Sequence, residues 1–176
     1  MRTYAIYEAL DRPEAELLAL KAIKILKKLG ADVSVSESLV HKYGNEIPDV
    51  KVSNRNNYDD KADVILTFGG DGTILSAVQT YIKSDVPIMG FNVGKLGFLA
   101  EFIVSGLEET LKDLINGNYR IITRSALETN IDNETIYALN DIVLEKSDAS
   151  HMVDIKAFSN SHFIGEYFAD GLIVAT

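Results

Sequence analysis

One carboxylate stands among three glycines in the stretch Gly69-Gly70-Asp71-Gly72-Thr73. The apolar run 62–68 before it is typical of a buried strand, and residues 73–82 after it have the pattern of a helix. Glycines at such a turn let backbone N–H groups approach a phosphate, and the helix N-terminus adds partial positive charge. A carboxylate beside a phosphate is repulsive by itself, so Asp71 indicates a metal ion, a proton acceptor or both. The alternative is an ordinary turn in which Asp71 bonds only to nearby backbone.

The glycine turn at 69–73 differs from the common nucleotide-binding motifs. No Gly-Lys-Ser/Thr follows it, so it is not a Walker loop, and its glycine spacing is not that of a dinucleotide fingerprint. It can still hold phosphates through backbone N–H groups. We expect Thr73 to cap the helix that follows.

A second glycine-rich turn comes after the apolar run 85–91 and reads Asn92-Val93-Gly94-Lys95-Leu96-Gly97-Phe98. The Phe98 ring is a candidate for stacking on a purine or nicotinamide ring. The alternative is a strand-to-loop turn that needs its glycines for conformation and buries Phe98 in the core.

Polar residues interrupt the apolar pattern in the last third of the chain. The pair Asn140-Asp141 lies within the apolar run 137–144, and Asp170 stands just before a final apolar run. Adjacent residues of a strand face opposite sides of a sheet, so the pair is suited either to bonding hydroxyl or amide groups of a ligand or to a satisfied sheet edge. His151 begins a predicted strand. No second histidine stands at metal-ligand spacing, so no metal site is predicted.

The first 118 residues alternate between strand and helix patterns. Strands are predicted at 3–7, 32–36, 63–68 and 85–91. Pro13 and Gly30 bound the first predicted helix, and a capping box of Ser105 with Glu108 begins the last. The polar residues 44–62 are predicted to form a loop. This order favours a parallel sheet, and ligands bind at the carboxyl ends of such strands.

After Tyr119 the chain shows strand patterns without helices. Strands are predicted at 119–131, 136–146, 151–159 and 162–168, with hairpin turns at 132–134 and 159–161. Successive hairpins indicate an antiparallel domain. We therefore expect two domains, 1–118 and 119–176.

The final apolar run, 172–175, has the composition of a strand inside a sheet. An antiparallel domain of four or five strands also has open edges. We expect either that the sequence is a fragment of a longer protein or that a partner chain covers those edges, as in a homodimer or homotetramer.

Composition limits the class of function. Hydrophobic residues make up 47% and charged residues 24%, so a packed core is expected. The formal net charge of −9 argues against binding to nucleic acid or to an anionic membrane. The absence of cysteine excludes thiolate metal sites and a cysteine nucleophile. Because the sequence has no signal-peptide pattern and no apolar run of membrane-spanning length, we expect a cytoplasmic protein.

Taken together, four motifs resemble those of the NAD kinase family. They are Gly69-Gly70-Asp71-Gly72-Thr73, the stretch 92–99, Ala138-Leu139-Asn140-Asp141 and the stretch 170–176. Their order and spacing span nearly the whole chain. The first motif is shared with diacylglycerol and sphingosine kinases and, loosely, with phosphofructokinases, whereas the second and fourth are more specific to NAD kinases.

The resemblance implies an α/β domain with a parallel Rossmann-like sheet over 1–118. A β-sandwich NAD-binding domain, incomplete at its C-terminus, would follow over 119–176. The implied reaction is phosphorylation of the 2′-hydroxyl of the adenosine ribose of NAD, which gives NADP. The implied donor is ATP or polyphosphate, with Mg²⁺ or another divalent cation.

The resemblance also implies roles for single residues. Asp71 resembles the proton acceptor or metal-organising carboxylate, and the other turn residues, Gly69, Gly70, Gly72 and Thr73, would line the same site. NAD would be contacted by Asn140, Asp141, His151 and Asp170. The ring of Phe98 would lie near the adenine. For His151 the implied contact is either NAD or a phosphate.

The chain departs from the family pattern at two places. Many relatives have Asn-Glu where this chain has Asn140-Asp141, which keeps a carboxylate. In the family a proline-threonine-glycine-serine-threonine-alanine-tyrosine stretch that binds NAD follows the equivalent of Thr176. Two alternatives therefore stay open: a lipid or sugar kinase with the same loop, and a nucleotide-binding module without turnover.

Overall fold

The chain folds into two compact units, Met1–Ile122 and Thr123–Thr176. The computed structural model describes residues 2–10, 12–56, 62–94, 99, 102–103, 106–148 and 150–176. Among these residues, no helix has the length and apolar character needed to cross a membrane. The functional division into a donor domain over 1–118 and an NAD-binding domain over 119–176 stays a prediction.

A parallel sheet forms the centre of the first unit. Its strands in the described part of the chain are β1 (Thr3–Glu8), β2 (Asp32–Ser36), β3 (Lys51–Ser53), β4 (Val64–Gly69), β5 (Ile88–Asn92) and β6 (Phe102–Ile103). The spatial order is β3-β2-β1-β4-β5-β6, and every neighbouring pair is parallel. The strand order therefore reverses between β1 and β4, which makes the carboxyl ends of these two strands the switch point where α/β sheets bind ligands. The predicted parallel α/β architecture is confirmed.

Helices cover both faces of this sheet. They are α1 (Pro13–Lys28), α2 (Glu37–Tyr43), α3 (Asp71–Tyr81) and α4 (Leu107–Asn116). Tyr4 and Ile6 pack with α1 and α4 on one face, while Ala5 and Tyr7 pack with α3 on the other. Because both faces are covered, every residue of β1 and β4 is buried.

Local signals at the ends of α1 agree with the structure. Pro13 is its first residue, and Gly30, with φ of +79°, lies just past its end in a left-handed conformation that suits glycine. Glu108 lies in the first turn of α4, but Ser105 lies outside the described residues, so the capping box stays a prediction.

The prediction of a loop over 44–62 was wrong in part. Residues Gly44–Glu46 form a short 3₁₀ helix, and Lys51–Ser53 form the edge strand β3. This strand has three residues and two of them are exposed, so it has no apolar pattern in the sequence. Only its parallel pairing with β2 makes it a strand.

Antiparallel strand pairs make up the second unit. Its strands are β7 (Leu127–Ile131), β8 (Glu134–Ala138), β9 (Asp141–Glu145), β10 (Val153–Ser159), β11 (His162–Ala169) and β12 (Gly171–Ala175). The pairs are β7 with β8, β9 with β12 and β10 with β11. Both predicted hairpin turns are confirmed, and each has two residues with positive φ: Asp132 and Asn133, then Asn160 and Ser161.

Two of the predicted strands in this unit had wrong bounds. Residues 119–126 are not in a strand, and the predicted strand 136–146 is two strands separated by a bend at Leu139-Asn140. The chain bends there because β8 pairs with β7, whereas β9 pairs with β12. Asn140 therefore lies outside a strand, and the prediction that Asn140 and Asp141 face opposite sides of one strand was wrong.

Candidate functional site

The glycine turn lies at the switch point of the parallel sheet. β4 ends at Gly69, Gly70 is the N-cap residue of α3, and Asp71 is the first residue of that helix. The first N–H groups of a helix generally lack intrahelical acceptors and carry partial positive charge. A Cβ at Gly70 or Gly72 would have no atom of the described residues within 4 Å, so this part of the structure leaves the surface beside these N–H groups open. The turn therefore has the geometry of an anion site.

Thr73 does not cap α3, so that prediction was wrong. The N-cap residue is Gly70, and its carbonyl accepts a hydrogen bond from the Thr73 N–H at 2.9 Å. The Thr73 side chain is instead buried against Gly69, where any Cβ would overlap its hydroxyl oxygen. Glycine at position 69 is thus needed for close packing of strand and helix.

The carboxylate of Asp71 links the two glycine-rich turns. The N–H of Leu99 donates to Asp71 Oδ1 at 3.1 Å. A backbone donor of this kind restricts the orientation of the carboxylate. Residues 95–98 lie outside the described residues, so the predicted stacking role of Phe98 stays a prediction.

Asn92 joins the same two turns, although its motif predicted no individual role for it. It ends β5 opposite Gly69, it is buried, and its Oδ1 accepts a hydrogen bond from the Gly94 N–H at 2.8 Å. The next residue, Val93, donates its N–H to the Gly69 carbonyl at 2.9 Å. An amide side chain at the end of an apolar strand, two residues before a glycine, was the available signal.

Glu8 ends β1, next to the glycine turn, and was also missed. The N–H of Ala9 donates to the Phe68 carbonyl at 2.8 Å, so β1 and β4 remain paired up to this edge. Glu8 is buried; Ser36 Oγ donates to its Oε1 at 2.8 Å, while its Oε2 has no partner in the described part of the chain. Burial raises the pKa of this carboxyl group. The signal was a charged residue that directly continues an apolar strand.

Three of the predicted NAD contacts lie on the two-stranded ribbon of β9 and β12. Asp141 begins β9 opposite Ala175, and the Asn140 carbonyl accepts a hydrogen bond from the Thr176 N–H at 2.9 Å. Asp170 directly precedes β12, beside the far end of β9. Asp170 lies beside Lys146, five residues after Asp141, so Asp141 and Asp170 stand about 17 Å apart at opposite ends of this ribbon.

His151 lies before β10 and is exposed. Its described contacts are local: Nδ1 lies 3.3 Å from both Ser150 Oγ and Asp148 Oδ2. Hydrogen bonds from Ser150, with a smaller contribution from His151, lower the pKa of Asp148. In the described part of the chain, no group of three or more histidine or acidic side chains could hold a metal ion.

Comparison with known proteins decides the family. Residues 6–119 match the family described as ATP-NAD kinase N-terminal domain. The chain belongs to the NAD kinase family. It is also 33% identical over 184 residues to the NAD kinase of Bacteroides fragilis, a match that covers 98% of this chain and 62% of that protein. The resemblance seen in the four motifs is thereby confirmed, and the chain spans about three-fifths of the length of this relative.

Two solved structures of this family support the fold. Yeast NADH kinase complexed with NADH has a TM-score of 0.88 at 22% identity, over 99% of this chain and 57% of that one. An NAD kinase from Archaeoglobus fulgidus in complex with ATP has a TM-score of 0.69 at 23% identity, over 99% of this chain and 60% of that one. At these identities the likeness concerns the fold, an α/β unit followed by antiparallel strands.

Proposed function

We propose that the protein containing this chain is an NAD kinase that transfers a phosphoryl group to the 2′-hydroxyl of the adenosine ribose of NAD, giving NADP. One observation carries the proposal: the Asp71 carboxylate stands at the N-terminus of α3, at the switch point, and is bonded by the Leu99 N–H. A fixed carboxylate beside an anion site suits proton transfer from a hydroxyl group that attacks a phosphate. Family membership and the kinase names of the relatives support the same reaction.

In this proposal the glycine turn binds the phosphoryl donor, ATP or polyphosphate. The N–H groups at the start of α3 would bond the terminal phosphates, and the open space at Gly70 and Gly72 would admit them. The Asp71 carboxylate would accept the proton of the ribose hydroxyl while the Leu99 N–H holds its orientation. Positioning of the hydroxyl in line with the phosphorus would supply much of the rate.

A divalent cation such as Mg²⁺ fits this donor set. Mg²⁺ is commonly held by one or two carboxylates together with substrate phosphates, and Asp71 supplies one carboxylate at the anion site. When bound, the ion would reduce the negative charge of the donor phosphates. The requirement for such an ion is part of the proposal.

The second unit would bind NAD. We assign contacts to Asn140, Asp141 and Asp170, and further contacts to His151 and Phe98, as the resemblance implies. Asp141 and Asp170 lie at the two ends of one ribbon, a spacing of about 17 Å that suits an extended dinucleotide. Homo-oligomeric assembly and a cytoplasmic location stay predictions from the sequence.

The test is formation of NADP by the full-length protein and its Asp71→Asn variant, with ATP or polyphosphate and Mg²⁺. Loss of the general base is expected to lower the rate by about 10²–10⁴-fold. Asp85→Asn is the matched control, because Asp85 is exposed and precedes β5 at the opposite edge of the sheet. Near-normal NADP formation by Asp71→Asn would contradict the proposal.

Substrate competition separates the alternatives. Phosphorylation of a lipid or sugar alcohol, without phosphorylation of NAD, would favour another kinase with the same loop. NAD binding measured by calorimetry, without turnover in the presence of donor and Mg²⁺, would favour a binding module.

A further inference from the structure

The corner at Asp170, where the chain passes from β11 to β12, is bonded twice to Lys146 at the end of β9. The Lys146 N–H donates to the Asp170 carbonyl at 3.0 Å, and Lys146 Nζ lies 2.5 Å from Asp170 Oδ1. The next residue, Gly171, packs so close to β9 that a Cβ there would overlap the Leu144 carbonyl oxygen. Main chain and side chain of Asp170 are therefore both held against Lys146.

The two members of this ion pair differ in exposure. The Lys146 side chain is 26% exposed, whereas that of Asp170 is 70% exposed. Exposed pairs between two freely moving side chains contribute little, but here the cation is largely covered by protein. The ion pair is made through Asp170 Oδ1, and the 70% exposure of this side chain leaves much of the carboxylate accessible to solvent. Lys146 thus holds one oxygen, while the exposed carboxylate keeps capacity to accept a hydrogen bond from a ligand.

We propose that Lys146 is a positioning residue for dinucleotide binding, an inference that rests on the proposed function. Lys146 orients the Asp170 carboxylate so that Oδ2 accepts a hydrogen bond from an N–H or O–H group of NAD. No motif in the sequence assigned a role to Lys146.

Charge gives Lys146 a second effect. The pyrophosphate of NAD is anionic, and a lone carboxylate near it is repelled. The pair of Lys146 and Asp170 has no net charge, yet the carboxylate keeps an acceptor for a donor group of the ligand. Removal of the ammonium group would therefore weaken binding through both orientation and repulsion.

A matched pair in the same unit provides the control. Lys156 and Glu166 face each other across β10 and β11, with 3.3 Å between Nζ and Oε1 and side chains 60% and 56% exposed. The pair has the same chemistry, but both members are exposed and neither has a proposed ligand role. A general effect of losing a cross-strand ion pair would appear here too.

The experiment is steady-state NADP formation by the full-length protein in six forms: wild type, Lys146→Met, Lys146→Arg, Asp170→Asn, Lys146→Met with Asp170→Asn, and Lys156→Met. We expect Lys146→Met to raise the KM for NAD about tenfold, the loss of one charge-assisted interaction, with kcat within about twofold. Lys146→Arg should restore most of the affinity. The double variant should be no worse than Asp170→Asn alone, because the two residues act together. Lys156→Met should leave KM unchanged.

Several outcomes would overturn the inference. If wild type forms NADP and Lys146→Met has the wild-type KM, the inference fails while the proposed function stands. A lower melting temperature with unchanged KM would assign Lys146 a structural role only, and additive effects in the double variant would also contradict the proposal. If wild type neither binds nor phosphorylates NAD, both proposals fail together. Should Lys146→Met not fold, Lys146→Gln supplies the same comparison.

Discussion

The two units hold their proposed functional carboxylates in different ways. Asp71 begins a helix at the edge of a sheet that is buried on both faces, and a backbone N–H from Leu99 bonds it. Asp170 lies at the corner of an exposed two-stranded ribbon, and the Lys146 side chain pairs with it. The donor to Asp71 is a backbone N–H, whereas the donor to the more exposed Asp170 is a flexible charged side chain. This difference suits Asp71 to chemistry and Asp170 to binding.

Glycine substitutions test whether the parallel sheet of the first unit loses more stability than the exposed ribbon when its packing is disturbed. We expect Gly69→Ala to lower the free energy of unfolding by about 1–3 kcal/mol, because the new Cβ overlaps the Thr73 side chain and lies 3.1 Å from the Ala9 Cβ. Gly72→Ala is the control, since a Cβ there meets no atom of the described residues within 4 Å. Denaturant unfolding of both variants gives the two values, and equal losses would argue against tight packing at Gly69.

A pH series on Glu8→Gln tests the buried carboxyl group of β1. Burial raises the Glu8 pKa, so both folded and unfolded states are protonated below the unfolded value of about 4.3. As pH rises through the folded pKa, wild type loses stability that the glutamine variant keeps. We expect the variant to be more stable by about 1–2 kcal/mol at neutral pH and nearly equal to wild type at pH of about 4.

The side-chain amide introduced by Glu8→Gln would keep an acceptor oxygen for Ser36 Oγ, so the comparison isolates the charge. Thermal unfolding at several pH values measures it. A stability difference between wild type and variant that does not change with pH would contradict a raised pKa of Glu8 in the folded state.

Substitution at Gly171 tests the exposed ribbon, because a Cβ there would overlap the Leu144 carbonyl oxygen as a Cβ at Gly69 would overlap Thr73. We expect Gly171→Ala to cost about 1 kcal/mol, less than at Gly69, because an exposed two-stranded ribbon can separate locally. Amide hydrogen exchange should become faster in β9 and β12 and stay unchanged in β1 and β4. Faster exchange in all four strands would mean that the two regions do not respond independently.

The smallest effect is expected for the exposed pair of Lys156 and Glu166. A double-mutant cycle with Lys156→Met and Glu166→Gln should give a coupling energy below about 1 kcal/mol, because both side chains are solvated. Chemical unfolding of the four proteins provides the measurement. A much larger coupling would show that exposure is a poor guide to ion-pair strength in this unit, and would weaken the contrast drawn for Lys146.

Features set by local chemistry could be predicted from the sequence. Pro13 and Gly30 bound α1 as expected, since proline suits the first turn of a helix and glycine its left-handed end. Asp132-Asn133 and Asn160-Ser161 form hairpin turns, because asparagine and aspartate tolerate positive φ. The alternation of apolar runs with helix patterns was likewise sufficient for the parallel sheet of the first unit.

Features set by distant partners could not be predicted in this way. β3 is a strand only because β2 lies beside it, and the bend at Leu139-Asn140 exists because β8 and β9 have different partners. The same holds at the candidate site, where Leu99 bonds Asp71 and Ser36 bonds Glu8 across 28 positions in each case. The motifs indicated which residues carry chemistry, but the orientation of their side chains depends on these long-range contacts.

The most direct test of the account compares Asp71→Asn with Asp170→Asn in the full-length protein, with kcat and the KM for NAD measured for NADP formation. If Asp71 accepts the ribose proton and Asp170 binds the dinucleotide, Asp71→Asn lowers kcat by about 10²–10⁴-fold with little change in KM. Asp170→Asn then raises KM and leaves kcat close to wild type. A wild-type kcat in Asp71→Asn would contradict the proposal that Asp71 accepts the ribose proton.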